Sequence, residues 1–221
     1  MGSRQVTLPE QRNYGRAYEL AYELACEQLA RIDDIEEQCR RSDAQYQVIG
    51  SEKAIIIQYL NQSYLVTLPD AEVSLLGSEV VVPIREKLIM LHYFTAAKGV
   101  PLAHSQITFR ELPEGIVYSP TFYQRTIKPL LKYFGQEPQN LVVASEKLGG
   151  WKTDYGDIGV TINAFSCVPI TIILWRGDEE FAPQGSIVFD ATISDYLPTE
   201  DITVLCETIT WRLIKYSRGT Q

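Results

Sequence analysis

Acidic residues crowd two short stretches of this chain: Asp154 and Asp157 in "TDYGD", and Asp178, Glu179 and Glu180 in "RGDEE". Carboxylates gathered in one place can ligate a hard cation such as magnesium or calcium, or raise one another's pKa for acid–base work. Between the two stretches lie "GVTINAF" and "ITIILW", which read as the strands of a hairpin. In the first, Val160, Ile162 and Ala164 alternate inward with Thr161 and Asn163 outward, and the second is apolar at nearly every position, as a central strand is. Phe165 to Pro169 is a normal hairpin connection, and pairing symmetric about Cys167 sets Asp157 opposite Gly177. Asp154, Asp157, Asp178 and Glu179 then meet at one end of the sheet beside Trp151, Tyr155 and Trp175. Asp157, Asp178 and Glu179 are therefore the candidate catalytic or cation-ligating set, and partial burial among like charges predicts a raised pKa for at least one of them. The plain alternative is a charged turn that keeps the hairpin end solvated and blocks edge pairing. Two tryptophans and the Gly149-Gly150 pair are more than such a turn requires.

A second group sits in "FRELPEGIVYSPTFYQR", where Arg110 and Arg125 flank Tyr118 and Tyr123. Two arginines beside aromatic rings can clamp an anion or a planar ligand; otherwise they pair with Glu111 and Glu114 at the surface. His104 follows Pro101 in an irregular link, a place where functional groups are often held. His92 lies four residues after Leu88 and eight after Ile84 on one helical face, and reads as a hydrogen-bonded core histidine rather than a ligand. Cys26, Cys39, Cys167 and Cys206 are far apart, with no C-x-x-C pair to make a zinc or iron–sulfur site. Cys26, Cys167 and Cys206 are expected to be reduced and metal-free.

The elements that must position these groups follow from periodicity. Tyr14, Tyr18, Ala21, Ala25, Leu29 and Ile32 mark one face of a helix over about residues 12–31. "YQVIG", "KAIIIQYL" and "SYLVTLP" read as a small antiparallel meander, the last two divided at Asn61-Gln62. Pro83 opens a helix, apolar nearly all round, that runs over about 83–98 to Gly99 and belongs at the centre of the core. "QITFREL" is a strand, Pro113–Gly115 a turn, and Ser119 and Pro120 the N-cap and first residue of a helix over about 120–134. "GSIVFD" is one more strand. The last helix, about 199–216, is capped by Thr199, carries Glu200 and Asp201 against its N-terminal dipole, and buries Val204, Leu205, Ile209, Trp211, Leu213 and Ile214. Strands in neighbouring runs, not alternating βαβ units, predict a single α+β domain over residues 13–216, an antiparallel sheet with helices packed mainly on one side, and tails at 1–12 and 217–221.

Composition narrows the function. Of 221 residues, 45% are hydrophobic and 22% charged, enough for a core without disulfides or metal. A net charge of −8 with scattered basic residues argues against nucleic acid. No apolar stretch approaches the roughly 20 residues that span a bilayer, and the N-terminal residues have no signal core, so a cytoplasmic protein with no membrane partner is expected. No Walker loop, G-x-G-x-x-G, G-x-S-x-G or H-E-x-x-H occurs, which favours binding over catalysis of the familiar kinds.

"FRELPEGIVYSPTF", "GDIGVTINAF", "LWRGDEEF", "FDATISDYL" and "PTEDI", in this order, make the chain from about residue 13 to 214 similar to the bacterial and archaeal family called domain of unknown function 3786. The resemblance carries no established reaction. It implies a setting, since some members resemble fusions with a small cysteine-rich iron–sulfur module in anaerobes using corrinoid and one-carbon chemistry. Four scattered cysteines cannot supply that module, so an electron-transfer role does not come with it. Two functions follow. One is a binding or accessory domain for a small molecule or a corrinoid-type cofactor, serving a redox or corrinoid partner protein, with Trp175, Tyr118, Arg110 and Arg125 as cofactor-contacting residues and His104 as axial ligand. The other is a cation-dependent or acid–base enzyme built on Asp157, Asp178 and Glu179.

Overall fold

The computed structural model is described for residues 9–50 and 52–219, with side chains from residue 15 onward except that of Ile49, so the Tyr14 side chain and the chain ends lie outside it. The fold is α+β, and its strands divide into two antiparallel sheets rather than the one expected.

The first sheet is a meander, β1 (Gln45–Ile49), β2 (Glu52–Tyr59), β3 (Gln62–Leu68) and β4 (Val73–Leu75), in sequence order. Its β2–β3 turn is Leu60-Asn61, one residue earlier than the pattern suggested, with φ of 48° and 63°. Two positive φ values give the turn the twist of the strands it joins. Leu60 tolerates that conformation because its side chain is buried and its N–H donates to the Ala164 carbonyl at 3.0 Å.

The second sheet contains β5 (Gln106–Thr108), β6 (Trp151–Thr153), β7 (Ile158–Phe165), β8 (Val168–Trp175) and β9 (Gln184–Asp190), in the order β5-β9-β8-β7-β6. The β7–β8 hairpin exists, but its register centres on Ser166, not Cys167: Ile158 pairs with Leu174 and Asn163 with Pro169. A bulge between Asn163 and Phe165 absorbs one residue, and pairing continues to Phe165 and Val168. Asp157 consequently faces Trp175 instead of Gly177.

Seven α-helices complete the described chain: α1 (Pro9–Ala30), α2 (Ile35–Ser42), α3 (Ile84–Ala96), α4 (Gly115–Arg125), α5 (Ile127–Phe134), α6 (Gln139–Glu146) and α7 (Thr199–Ser217). α3 buries Leu88, Ile89, Met90, Leu91, Tyr93 and Phe94, as its all-round apolar character demands. It packs against α1, while α7 touches α3, α4, α5 and α6. Several expectations fail locally, and Trp211, expected on the buried side of α7, is 50% exposed. The helix assigned to Ser119 begins at Gly115, because Glu114 turns the chain with φ of 58° and a Cβ on Gly115 would lie 2.0 Å from the Phe109 oxygen, so only glycine fits there. Pro120 thus lies inside α4, and Thr126 divides the expected helix into α4 and α5. Thr199 does not cap α7; its hydroxyl donates to the Pro113 carbonyl at 2.7 Å, tying α7 to the turn before α4.

Buried apolar residues form one cluster from Ala25 to Ile214. Phe165 stacks on Tyr93 of α3 at 4.0 Å between centroids and lies 5.0 Å from Tyr59 of β2, so one ring joins both sheets to the central helix. Cys39 and Cys206 are buried free thiols, and burial pushes the Cys39 thiol up to about 11.

Candidate functional site

At the hairpin mouth Asp157 and Asp178 line one depression of about 360 Å³ with Trp175, Arg176 and Phe181. The carboxylates are largely spent on backbone. Asp157 Oδ2 accepts from the Arg176 N–H at 2.8 Å, and Asp178 Oδ1 accepts from the Glu180 and Phe181 N–H groups at 2.9 and 2.7 Å. Those donors, Phe181 first, hold the Asp178 carboxyl below its ordinary range, opposite to the shift expected from burial among like charges. Among the described residues no three of His, Cys, Asp and Glu gather as a metal ion requires, so Asp157, Asp178 and Glu179 do not form a ready ligand set. Trp175 and Trp151 are 42% and 47% exposed, and Trp151 pairs with Thr161, away from the mouth. Gly149-Gly150 has a packing cause: a Cβ on Gly149 would meet the Asn61 side chain at 2.9 Å, and one on Gly150 would meet Ile162 and Ser145.

The five cofactor candidates do not converge. His104, exposed and at φ of 53°, donates its N–H to Asp190 Oδ2 at 2.8 Å. Asp190 ends β9 next to β5, whereas Trp175 pairs with Gln184 at the start of β9, six residues or roughly 20 Å away. Arg110 is exposed in a short 3-10 turn, Phe109–Glu111, and Glu111 is engaged with the Thr108 N–H and hydroxyl rather than with Arg110.

Tyr118 and Arg125 do share a cavity. Its volume is about 460 Å³, against about 310 Å³ for a neighbouring cleft beside Trp211. Four helices wall it: Ala17, Tyr18 and Ala21 from α1; Leu88 and His92 from α3; Tyr118, Thr121 and Arg125 from α4; Glu200, Asp201, Thr203 and Val204 from α7. Steps of three and four within each group place one face of every helix on the same space.

His92 is the polar centre of this cavity. Its Nδ1 lies 2.6 Å from Asp201 Oδ2, with 27% and 10% of the two side chains exposed. A carboxylate at Nδ1 fixes the tautomer that carries hydrogen there and leaves Nε2 as the free acceptor. His92 is thus hydrogen-bonded as expected, yet half-buried and at a cavity wall. Nothing in spacing could reveal the pair, because its members are 109 residues apart. The available hint was Asp201 itself, standing where only a dipole partner was expected.

Beside the dyad runs a chain of charge. Arg85 Nη2 donates to Glu207 Oε2 at 2.8 Å, Arg125 reaches the same oxygen only at 3.9 Å, and Arg212 pairs with Glu86. The Arg85 guanidinium lies over the Tyr18 ring at 5.7 Å, and its Nε is buried without an acceptor among the described residues. Burial pushes the Glu86 carboxyl up even though Arg212 opposes it.

A family model described as Domain of unknown function (DUF3786) matches residues 34–212, which takes in α2 through nearly all of α7, and the chain belongs to that family. No curated protein and no solved structure matches it. Among the described residues no helix is long and apolar enough to cross a membrane.

Proposed function

We propose that this protein is a small-molecule-binding domain whose ligand occupies the cavity between α1, α3, α4 and α7. One observation carries the reading: a cavity of about 460 Å³ whose wall holds a carboxylate-oriented histidine. Ligand pockets typically enclose roughly 300–1,000 Å³ and combine apolar walls with a few oriented polar groups. Leu88, Val204, Ala21 and the tyrosine rings supply the walls; His92 and Arg125 supply the polar groups.

A corrinoid needs a broad platform and an axial ligand. With His104 and Trp175 at opposite ends of β9, the support shifts to a smaller ligand. The acid–base reading gains support at a different address, since His92 with Asp201 behind it has the arrangement of a general base, whereas Asp178 is consumed by its own turn.

Ligand-observed NMR with a fragment collection tests the binding reading. Hits that vanish in both Thr121→Trp and Ala17→Trp, which plug the cavity from exposed positions, and persist in Trp175→Ala support it. Hits lost only in Trp175→Ala move the site to the hairpin mouth. A hydroxocobalamin spectrum that changes on adding the parent protein but not His104→Ala restores the corrinoid.

A further inference from the structure

Three guanidinium groups, Arg85, Arg125 and Arg212, stand against two carboxylates, Glu86 and Glu207. Arg212 takes Glu86 and Arg85 takes Glu207, which leaves Arg125, among the described residues, with only the second, 3.9 Å contact to an oxygen already in use. Arg125 lines the cavity with its side chain half exposed, whereas Arg85 belongs to the wall of the neighbouring cleft. A guanidinium in this state fits a planar or tetrahedral oxyanion, which can accept two of its N–H donors at once.

The other charges at the cavity do not reverse this. Asp201 is engaged by His92 Nδ1. Glu200 is exposed in the first turn of α7, where the positive end of the helix dipole accommodates it.

Building on the binding reading above, we infer that the ligand is a small oxyanion, a carboxylate or a phosphate monoester with an apolar or aromatic body. Its anionic end sits on Arg125, and its body lies against Tyr18, Tyr118, Leu88 and Val204.

Benzoate, phenyl phosphate, benzylamine and benzyl alcohol, titrated by ligand-observed NMR up to about 10 mM, test the assignment at affinities expected of single-ring probes. Benzoate or phenyl phosphate should bind at least about tenfold tighter than the amine and the alcohol, and Arg125→Gln should erase that preference while Arg125→Lys keeps part of it. The order of the two anions tells carboxylate from phosphate. Glu200→Gln should leave anion binding equal or tighter. Preferential binding of benzylamine, loss of binding in Glu200→Gln, or no binding of either anion would overturn the inference. Binding of all four probes that Thr121→Trp abolishes and Arg125→Gln leaves intact refutes the oxyanion alone. Anion binding indifferent to Thr121→Trp and Ala17→Trp refutes the cavity as well.

Discussion

Asp178 accepts two N–H groups of its own turn, and its N–H donates to the Phe181 carbonyl at 2.9 Å, so the residue closes the 178–181 turn by itself. A side-chain acceptor two and three residues back is what an Asx turn needs, and asparagine can provide it as well. Asp178→Asn should therefore leave amide exchange at Glu180 and Phe181 nearly unchanged, whereas Asp178→Ala should speed it about five- to tenfold by removing an acceptor. Equal exchange in all three proteins would mean that the turn is held by Pro183 and Phe181 instead. The acids of "RGDEE" stood out in the sequence because acidic turns and acidic sites have the same composition. What separates them is whether the oxygens are already occupied, and that is a matter of backbone geometry.

The loop before β5 is held to the end of β9 by one carboxylate. Asp190, 9% exposed, accepts from Ala103 N–H at 3.0 Å, His104 N–H at 2.8 Å, and Thr192 N–H and hydroxyl at 3.1 and 2.7 Å. Burial pushes its pKa up, but the four donors outweigh it and the carboxyl falls below the ordinary 3.8. A depressed folded-state pKa contributes stability above the unfolded value, and that contribution is lost as pH falls through the folded value. Asp190→Asn turns an amide NH₂ toward at least one donor and should cost about 1–3 kcal/mol at pH 7. The gap from the parent should narrow below about pH 4, a trend that urea titrations at several pH values can follow. A constant gap down to pH 2.5 would show that the charge is not what holds the loop. Element boundaries were legible where periodicity sets them, as in α3, α7, β2 and β3. They were not legible where tertiary contact does: Gly115 starts α4 because Phe109 leaves no room for a side chain, and the bulge before Phe165 shifts a register that symmetry alone cannot locate.

The antiparallel α+β plan was readable across the whole molecule, but its division into two sheets was not, because nothing local says which hairpins pair with each other. The cavity was half readable. Tyr118 and Arg125 carried a signal in their own segment, while His92 and Asp201 meet only through the packing of α3 on α7. Phe165 braces α3 from the sheet side. Its ring stacks on Tyr93, the neighbour of His92 on α3, and approaches Tyr59, while the adjacent Ala164 carbonyl accepts the Leu60 N–H that links the sheets. Phe165 is 1% exposed, and truncating such a side chain to alanine costs about 3–5 kcal/mol, a large part of the ~5–15 kcal/mol typical of a whole domain. Phe165→Ala should therefore unfold at much lower urea than the parent, and Phe165→Leu should lose roughly half as much, since it keeps most of the apolar contact but not the stack. Because Tyr93 and His92 are consecutive on α3, slack at Phe165 should also reach the cavity. In the still-folded Phe165→Leu protein, any probe lost on plugging with Thr121→Trp should bind more weakly than in the parent. A Phe165→Ala cost below about 1 kcal/mol would show that the sheets are joined elsewhere. Unchanged probe affinity in Phe165→Leu would show that α3 holds His92 in place without the aromatic stack.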